Sequence, residues 1–300
     1  MRDQTEPGAL PLRPLTTGEV LDAAVVLLRT RAGKLLGLGF LFALCEQLIL
    51  FPLRRLADVD DRFLPATGAL GIFGVLIVVG FGTEALCVSL LGGIAATDAP
   101  RALLGPGAPA GRTARMGSVL VVSLVGAVVC AASAWGFLVF PVPLQILGLV
   151  LAVLVTPVFW PFAYGLLGLS APAVVIDQVG PLRALGRSLR LTTRTMLRGM
   201  WIRLVGYLAW LLIRLGLSLA TVAIITLVYS SPSNTVDNLL LGTAWLVVNG
   251  LAYPMLGCLD VTLHLEIRMR TEGLDIALRR TLSRGVAADI PLAVPVRQAT

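Results

Sequence analysis

Residues 204–229 read LVGYLAWLLIRLGLSLATVAIITLVY, and the sole charge in the run is Arg214. A helix needs about 20 mostly apolar residues to cross the hydrocarbon of a bilayer, so this stretch is long enough to span one. Immediately before it, residues 181–198 read PLRALGRSLRLTTRTMLR, with an Arg at every third or fourth position. An apolar span fed by a basic segment is the grammar of a membrane helix and its flank. The rest of the chain repeats it. Further apolar runs cover 35–53, 68–96, 116–139, 144–169 and 238–263. The expected fold is all-α: a polytopic bundle of about six transmembrane helices with amphipathic helices at the interface.

Composition supports this class. Of 300 residues, 57% are apolar and 14% charged, with a mean hydropathy of +0.89. A soluble domain carries about 25% charged residues, so an ordinary soluble enzyme and a disordered chain are both excluded. The net charge of +7 comes from 24 basic and 17 acidic residues, and its placement matters more than its size. The segment before the first span holds five basic residues, the 97–115 loop three, the 170–203 segment six and the C-terminal tail six. The alternate loops hold only Arg54, Arg55 and Arg62. The positive-inside rule then puts both termini in the cytoplasm of a multi-pass protein. Residues 1–15 form a cytoplasmic lead, 16–280 one integral membrane domain, and 281–300 a flexible cytoplasmic tail. Cys45, Cys87, Cys130 and Cys258 are scattered through apolar runs and read as inert thiols.

Two cytoplasmic segments have helical periodicity. In 181–198, Leu182, Leu185, Leu189 and Met196 share one face, and Arg183, Arg187, Arg190, Arg194 and Arg198 share the other. Such a helix would lie in the interface with its Arg face toward anionic headgroups or a partner protein. The plainer reading is a juxtamembrane helix that only fixes topology. In 16–30, Thr16 and Glu19 have capping-box spacing, ahead of a stripe of Leu21, Ala24, Val25 and Leu28. Asp98 with Pro100-Arg-Ala-Leu, and Asp177 with Pro181-Leu-Arg-Ala-Leu, follow the second and fourth spans; Asp260 lies near the inner end of the sixth. The chain therefore reads as a possible threefold parallel repeat of interfacial helix plus membrane hairpin.

Three stretches carry a family likeness: LRPLTTGEVLDAAVVLLRTRAGKLLGLG (12–39), LSAPAVVIDQVGPLRALGRSLRLTTRTMLRGM (169–200) and LDVTLHLEIRMRTEGLDIALRR (259–280). They resemble the membrane-domain family named after the N-terminal extension of some bacterial glycerophosphoryl diester phosphodiesterases. The resemblance implies a helical module of a bacterial cytoplasmic membrane, most of whose relatives are uncharacterised. In the enzymes that bear the name, catalysis belongs to a separate soluble barrel. One His and the short remainder after residue 280 leave no room for a barrel of about 250 residues.

Motif searches agree with a non-catalytic reading. There is no HExxH, GxSxG, P-loop or dinucleotide fingerprint, so no catalytic residues, cofactor, metal or nucleic-acid partner are expected. Asp260, His264 and Arg268 recur at steps of four, a spacing that suits a juxtamembrane ion-pair ladder better than a metal site. Within the spans stand Glu46, Glu84, Arg214 and Asn249. A charge at the bilayer centre costs about 2.5–3.5 kcal/mol on insertion scales, so these side chains are expected inside the bundle, with Arg214 on Glu84. Thr156-Pro157-Val-Phe-Trp160-Pro161 should break the fourth span. Small residues in the third (Ser123, Gly126, Ala127, Cys130, Ala131, Ala134) suggest that it is the packed central helix. Two functions fit these features. One is a scaffold or regulatory module that engages lipids or partners through the Arg-rich helices. The other is a small-solute or ion transporter using Glu46, Glu84, Arg214 and the broken fourth span.

The orientation is checked by reporter fusions at the C-terminus. An alkaline phosphatase fusion there should be inactive and a fluorescent protein fusion bright, and the reverse pattern would refute the sidedness drawn from the basic residues.

Overall fold

The computed structural model describes residues 11–57, 70–104, 115–134, 159–195, 197–228 and 234–283. They form helices α1 (Thr17–Thr30), α2 (Ala32–Leu56), α3 (Leu70–Ala95), α4 (Ala99–Leu104) and α5 (Met116–Ser133). Residues 159–167 form α6. Then come α7 (Ser170–Ile176), α8 (Pro181–Arg194), α9 (Arg198–Val228), α10 (Asn234–Glu272) and α11 (Leu274–Ser283). The described residues contain no strand. Six helical stretches are long and apolar enough to cross a membrane: α2, Gly71–Arg101, α5, Phe159–Ile176, Arg198–Ile224 and Asn238–Glu272. The protein is an all-α, multi-pass membrane bundle.

The centre of the bundle is α10, not the third span. At 39 residues it is about 58 Å long at 1.5 Å per residue, well beyond a hydrocarbon layer of about 30 Å. It packs against α1, α2, α3 and α9. Every residue from Cys258 to Met269 on it is buried. The third span, α5, buries only one face. The Ser123 hydroxyl donates to Ser89 at 2.8 Å, whereas Leu120, Leu124 and Val128 on the other face are exposed. The small-residue stripe marks the α3 seam, where a Cβ on Gly82 would meet Ala131 at 3.3 Å. Gly126 of the same stripe has open space around it. What decides the centre is a pair of close backbone approaches, both to α10, the first where a Cβ on Gly39 of α2 would stand 2.5 Å from the Gly250 carbonyl oxygen. A Cβ on Gly257 of α10 would stand 2.7 Å from the Gly92 nitrogen of α3. Small residues that let helices touch backbone to backbone are the main means of packing where lipid supplies no hydrophobic drive.

The interfacial helices pack on the bundle itself. They wrap the basic end of α10 and give it a core like that of a soluble protein. The capping box of α1 is present: the Glu19 N–H donates to Thr16 Oγ1 at 3.4 Å, and the Thr16 N–H donates to Glu19 Oε2 at 2.8 Å. The fully buried stripe of α1 is Val20, Ala23, Ala24 and Leu27. It is turned by about one residue from the expected stripe, because α1 packs on α10 and leaves Leu21 and Leu28 at its edge. Helix α8 ends at Arg194, short of the expected 198. Leu197 is left-handed at φ 61°, its N–H bonds the Thr192 carbonyl at 3.1 Å, and Arg198 opens α9 instead. The fourth span is interrupted at Gly168–Leu169. Pro161 lies three residues into α6, while Pro157 and 144–158 fall outside the described residues. The interruption places Gly168 where a Cβ would meet the Arg203 guanidinium at 2.2 Å. Carbonyls freed there find hydroxyls: Ser188 donates to Leu166 at 2.5 Å and Ser170 to Leu167 at 2.6 Å.

Gly257→Ala should lower the unfolding temperature in detergent, with a loss of about 1–3 kcal/mol, because the added methyl meets backbone that cannot rotate away. Gly126→Ala is the matched control and should leave the temperature unchanged or slightly raised.

Candidate functional site

Polar groups inside the bundle fall into a ladder of sets along α10. At the basic end, Asp177 caps α7 and is 1% exposed. It accepts from Arg268 at 2.8 Å, faces His264 Nε2 at 3.2 Å, and binds Arg187 closely. Arg187 and Arg268 both also reach Glu272, at 2.7 and 2.9 Å. Beside this set, Glu266 binds Arg270 and stands 3.7 Å from Arg198. Those two arginines also donate to the Leu15 carbonyl, at 2.6 and 3.2 Å. Asp98 pairs with Arg31 at 3.0 Å and Arg101 at 3.2 Å. Burial alone would push the Asp177 carboxyl up, but His264, Arg268 and Arg187 outweigh it and hold it at about 2.

One step further into the bundle, Arg203 makes a two-point contact with Asp260, at 2.6 and 2.9 Å. Its guanidinium also sits 3.6 Å from the centre of the Tyr164 ring, a cation–π contact in a dry setting. Tyr164 stacks on Trp160, and Tyr207 leans on both. The Tyr207 hydroxyl then donates to Glu84 at 3.3 Å. Glu84 also takes both guanidinium arms of Arg214, at 2.9 and 3.3 Å. Next to this pair, Glu46 accepts from Tyr253 at 2.5 Å, Asn249 at 2.9 Å and Thr83 at 3.1 Å. Thr83 precedes Glu84 in sequence, so the two sets adjoin.

The Glu84–Arg214 pair crosses a cleft. Helix α9 leans on α10 and meets α3 chiefly through this bridge and the aromatic cluster. The space between is a cavity of about 570 Å³, within the roughly 300–1,000 Å³ range of small-molecule sites. Among the described residues its wall is mostly apolar, with side chains such as Phe73, Ile77, Phe81, Leu208 and Leu211. The polar exceptions are Glu84, Arg214, Gln47, Arg54, Tyr207 and the two indoles Trp160 and Trp245.

The sequence-derived residues are thus distributed unevenly. Glu46, Glu84, Arg214 and Asn249 come together. Asp260, His264 and Arg268 share a face, as their spacing requires, but they meet other helices rather than one another: Asp260 meets Arg203 of α9, and His264 and Arg268 both meet Asp177 at the end of α7. The Arg face of 181–198 divides. Arg183, Arg190 and Arg194 are exposed, whereas Arg187 and Arg198 turn inward to Asp177, Glu272 and Glu266. Leu182 stays 82% exposed, and the buried face of α8 is Ala184, Ser188, Leu191 and Thr192. Arg203 and Arg54 read as flanking charges in the sequence, yet both are buried inside helices, at 3% and 7% exposure. Tyr164, Trp160 and Tyr207 carry no sequence signal beyond being aromatic in a span. Among the described residues, no three of His, Cys, Asp and Glu stand close enough to hold a metal ion.

Replacing one partner of a buried pair strands the other charge at a cost of about 3–5 kcal/mol. Glu84→Leu and Arg214→Leu should therefore each destabilise the detergent-solubilised protein strongly, and the double variant should recover most of the loss. Strictly additive losses in thermal unfolding would dissociate the two groups. The Asp177 network has its own signature. A depressed carboxyl contributes stability in full above its unfolded pKa of about 3.9 and loses it as the pH falls through its folded value. Unfolding temperature should thus fall between about pH 4 and pH 2, and Asp177→Asn should remove that part of the pH profile while lowering stability at neutral pH.

No protein-family profile matches the sequence, and no curated protein and no solved structure is significantly similar to the chain.

Proposed function

We propose that the protein is a membrane carrier that takes a small ligand into the cleft between α3 and α9. The observation that supports this reading is the 570 Å³ cavity that reaches a buried ion pair in the middle of two spans. Tightly packed scaffolds have no use for such a space, and intramembrane ionisable groups that face a cavity commonly mark a solute path. The bridge also suits a moving part. Helix α9 is held to α3 by a few polar and aromatic contacts, which a ligand can replace in kind. The fourth span contributes Trp160 and Pro161 to the cavity wall beside the Glu84–Arg214 pair, and the Glu46 set adjoins that pair through Thr83. On this reading the chain performs no covalent chemistry and needs no cofactor or metal.

A second reading has one observation of its own. Arg183, Arg190 and Arg194 form an exposed basic stripe on α8 beside the exposed Leu182 and Leu189. That stripe suits anionic headgroups of the inner leaflet or an acidic partner segment, and it would dock the protein without any role for the cleft. The family resemblance of the cytoplasmic-side segments, and with it a place in a bacterial inner membrane with both termini inside, is compatible with either reading.

Cysteine accessibility separates them. In a background with Cys45, Cys87, Cys130 and Cys258 replaced, Leu211→Cys on the cleft wall should react with a water-soluble maleimide from each side of a sealed vesicle. A carrier must open its site to both sides in turn. Reaction from neither side, with Arg183, Arg190 and Arg194 required for membrane or partner binding, would favour the scaffold.

A further inference from the structure

The cleft is elongated. Phe73 precedes Glu84 by eleven residues on α3, and Leu204 precedes Arg214 by ten on α9. Consecutive spans alternate in direction, so these two residues lie toward opposite ends. Along a helix axis the offsets are about 16 Å and 15 Å. The Tyr207 contact sets Glu84 between Tyr207 and Arg214 in depth, so the whole cleft is about 25–30 Å long. A cleft of that length, with a volume of about 570 Å³, has room for an extended alkyl chain with a small head.

The charges on the wall are unevenly paired, because the Glu46 carboxylate acts on Arg54 only from a distance. Glu84 and Arg214 neutralise one another, and both Glu84 oxygens are taken. Among the described residues Arg54 meets no carboxylate: it donates to the neutral Gln47 Oε1 at 2.5 Å and is 7% exposed. Glu46 stands behind this wall, occupied by Tyr253, Asn249 and Thr83. The hydrogen-bonding inventory is one-sided too. The unpartnered buried side-chain polar atoms of the wall, among the described residues, are Arg54 Nε, Arg214 Nε, Trp160 Nε1 and Trp245 Nε1. All four are N–H donors. Buried donors without acceptors are costly, and a ligand rich in acceptor oxygens relieves that cost. Arg54 lies two residues from the end of α2, near the mouth of the cleft. From there inward the wall turns apolar along Leu50, Ile77, Phe81, Leu208 and Leu211.

We infer that the ligand is an amphiphile with a monoanionic head, the head held by Arg54 and Gln47 and an alkyl chain lying along the α3–α9 cleft. This deepens the carrier reading and rests on it only in taking the cleft to be a ligand site.

The test uses the full chain in phosphatidylcholine nanodiscs. Trp135, Trp201 and Trp210 are replaced by Phe, so that fluorescence reports from Trp160 and Trp245 on the cleft wall. 9,10-Dibromostearate, a short-range quencher, should quench that emission saturably, and unbrominated stearate should relieve the quenching. Octadecanol and octadecylamine should compete at least tenfold more weakly than stearate, the discrimination expected of a charge-assisted hydrogen bond. Arg54→Gln should remove the preference for stearate over octadecanol. Equal competition by the acid and the alcohol in the parent protein would overturn the anionic head and leave the cleft as a chain site. Quenching that is linear in bromolipid and indifferent to Arg54 would overturn the amphiphile altogether. If Leu211→Cys is still labelled from both sides in that case, the carrier reading stands with a different ligand. If saturable, Arg54-dependent quenching is found but labelling occurs from one side only, the site stands and carriage falls.

Discussion

A charge can enter a hydrocarbon layer only in company, and α10 is where this chain keeps most of the company. Glu46 and Asn249, Asp260 and Arg203, and Asp177 with His264 and Arg268 all meet on or against it. Each polar set also ties a different helix to the same post: α2 through Glu46, α9 through Arg203, and α7 and α8 through Asp177 and Arg187. Between these ties the backbone closes in wherever glycine allows. Gly257 touches Gly92, and Gly39 lies against Gly250 and Pro254. Lipid provides little drive to bring apolar helices together, so close van der Waals contact and paired polar groups carry the association. Both are concentrated on one helix, which explains why α10 is buried throughout Cys258–Met269 while α9 and α5 present broad apolar faces outward.

The same post explains how one chain can hold two kinds of core. Where α10 lies among the spans, its neighbours are apolar and polar contacts are few and specific. Where it emerges at the basic end, it is clothed by α1, α8 and α11 in a dense mixture of leucines and ion pairs. There, Arg187, Arg198, Arg268 and Arg270 act as ties rather than as a surface. The basic end is accordingly rigid, and α9 beyond Arg203 is the part of the bundle with the fewest attachments. A cleft has formed on its unattached side. The Glu84–Arg214 bridge holds that cleft at a set width, because neither charge can be left alone in an apolar wall.

How much of this is legible in the residues follows from what each signal measures. Hydropathy reports the solvent of a segment, so all six spans and the all-helical class are legible, including the intramembrane four, Glu46, Glu84, Arg214 and Asn249. Periodicity reports a face but not what covers it. That is why the expected stripe of α1 is one residue off, and why Arg187 and Arg198 group in sequence with the exposed Arg183, Arg190 and Arg194. Small residues report the possibility of close approach, and α5 has them. But whether they meet another backbone depends on the partner, and the closest backbone meetings are Gly39 on Gly250 and Gly92 on Gly257. Arg54 and Arg203 are illegible for a different reason. A charge near the end of an apolar run looks the same whether it ends the span or is carried inside it, and only the buried partners Gln47 and Asp260 tell the two apart.

That ambiguity bears on the cleft. An Arg placed at a span end to mark topology would extend to water and headgroups, as long basic side chains do. Arg54 does not. It folds back over Gly242, where an added Cβ would lie 3.3 Å from its Nη2, and it gives a hydrogen bond to a neutral amide. Folding a guanidinium inward costs it hydration, and α2 returns only the Gln47 hydrogen bond and the more distant Glu46 carboxylate. The arrangement is economical if an anion completes it, since the desolvation already accepted by Arg54 would then strengthen the contact it makes. The Glu84–Arg214 pair, closed on itself, fixes the walls of the cleft, and Arg54, left open, gives it a preference for charge.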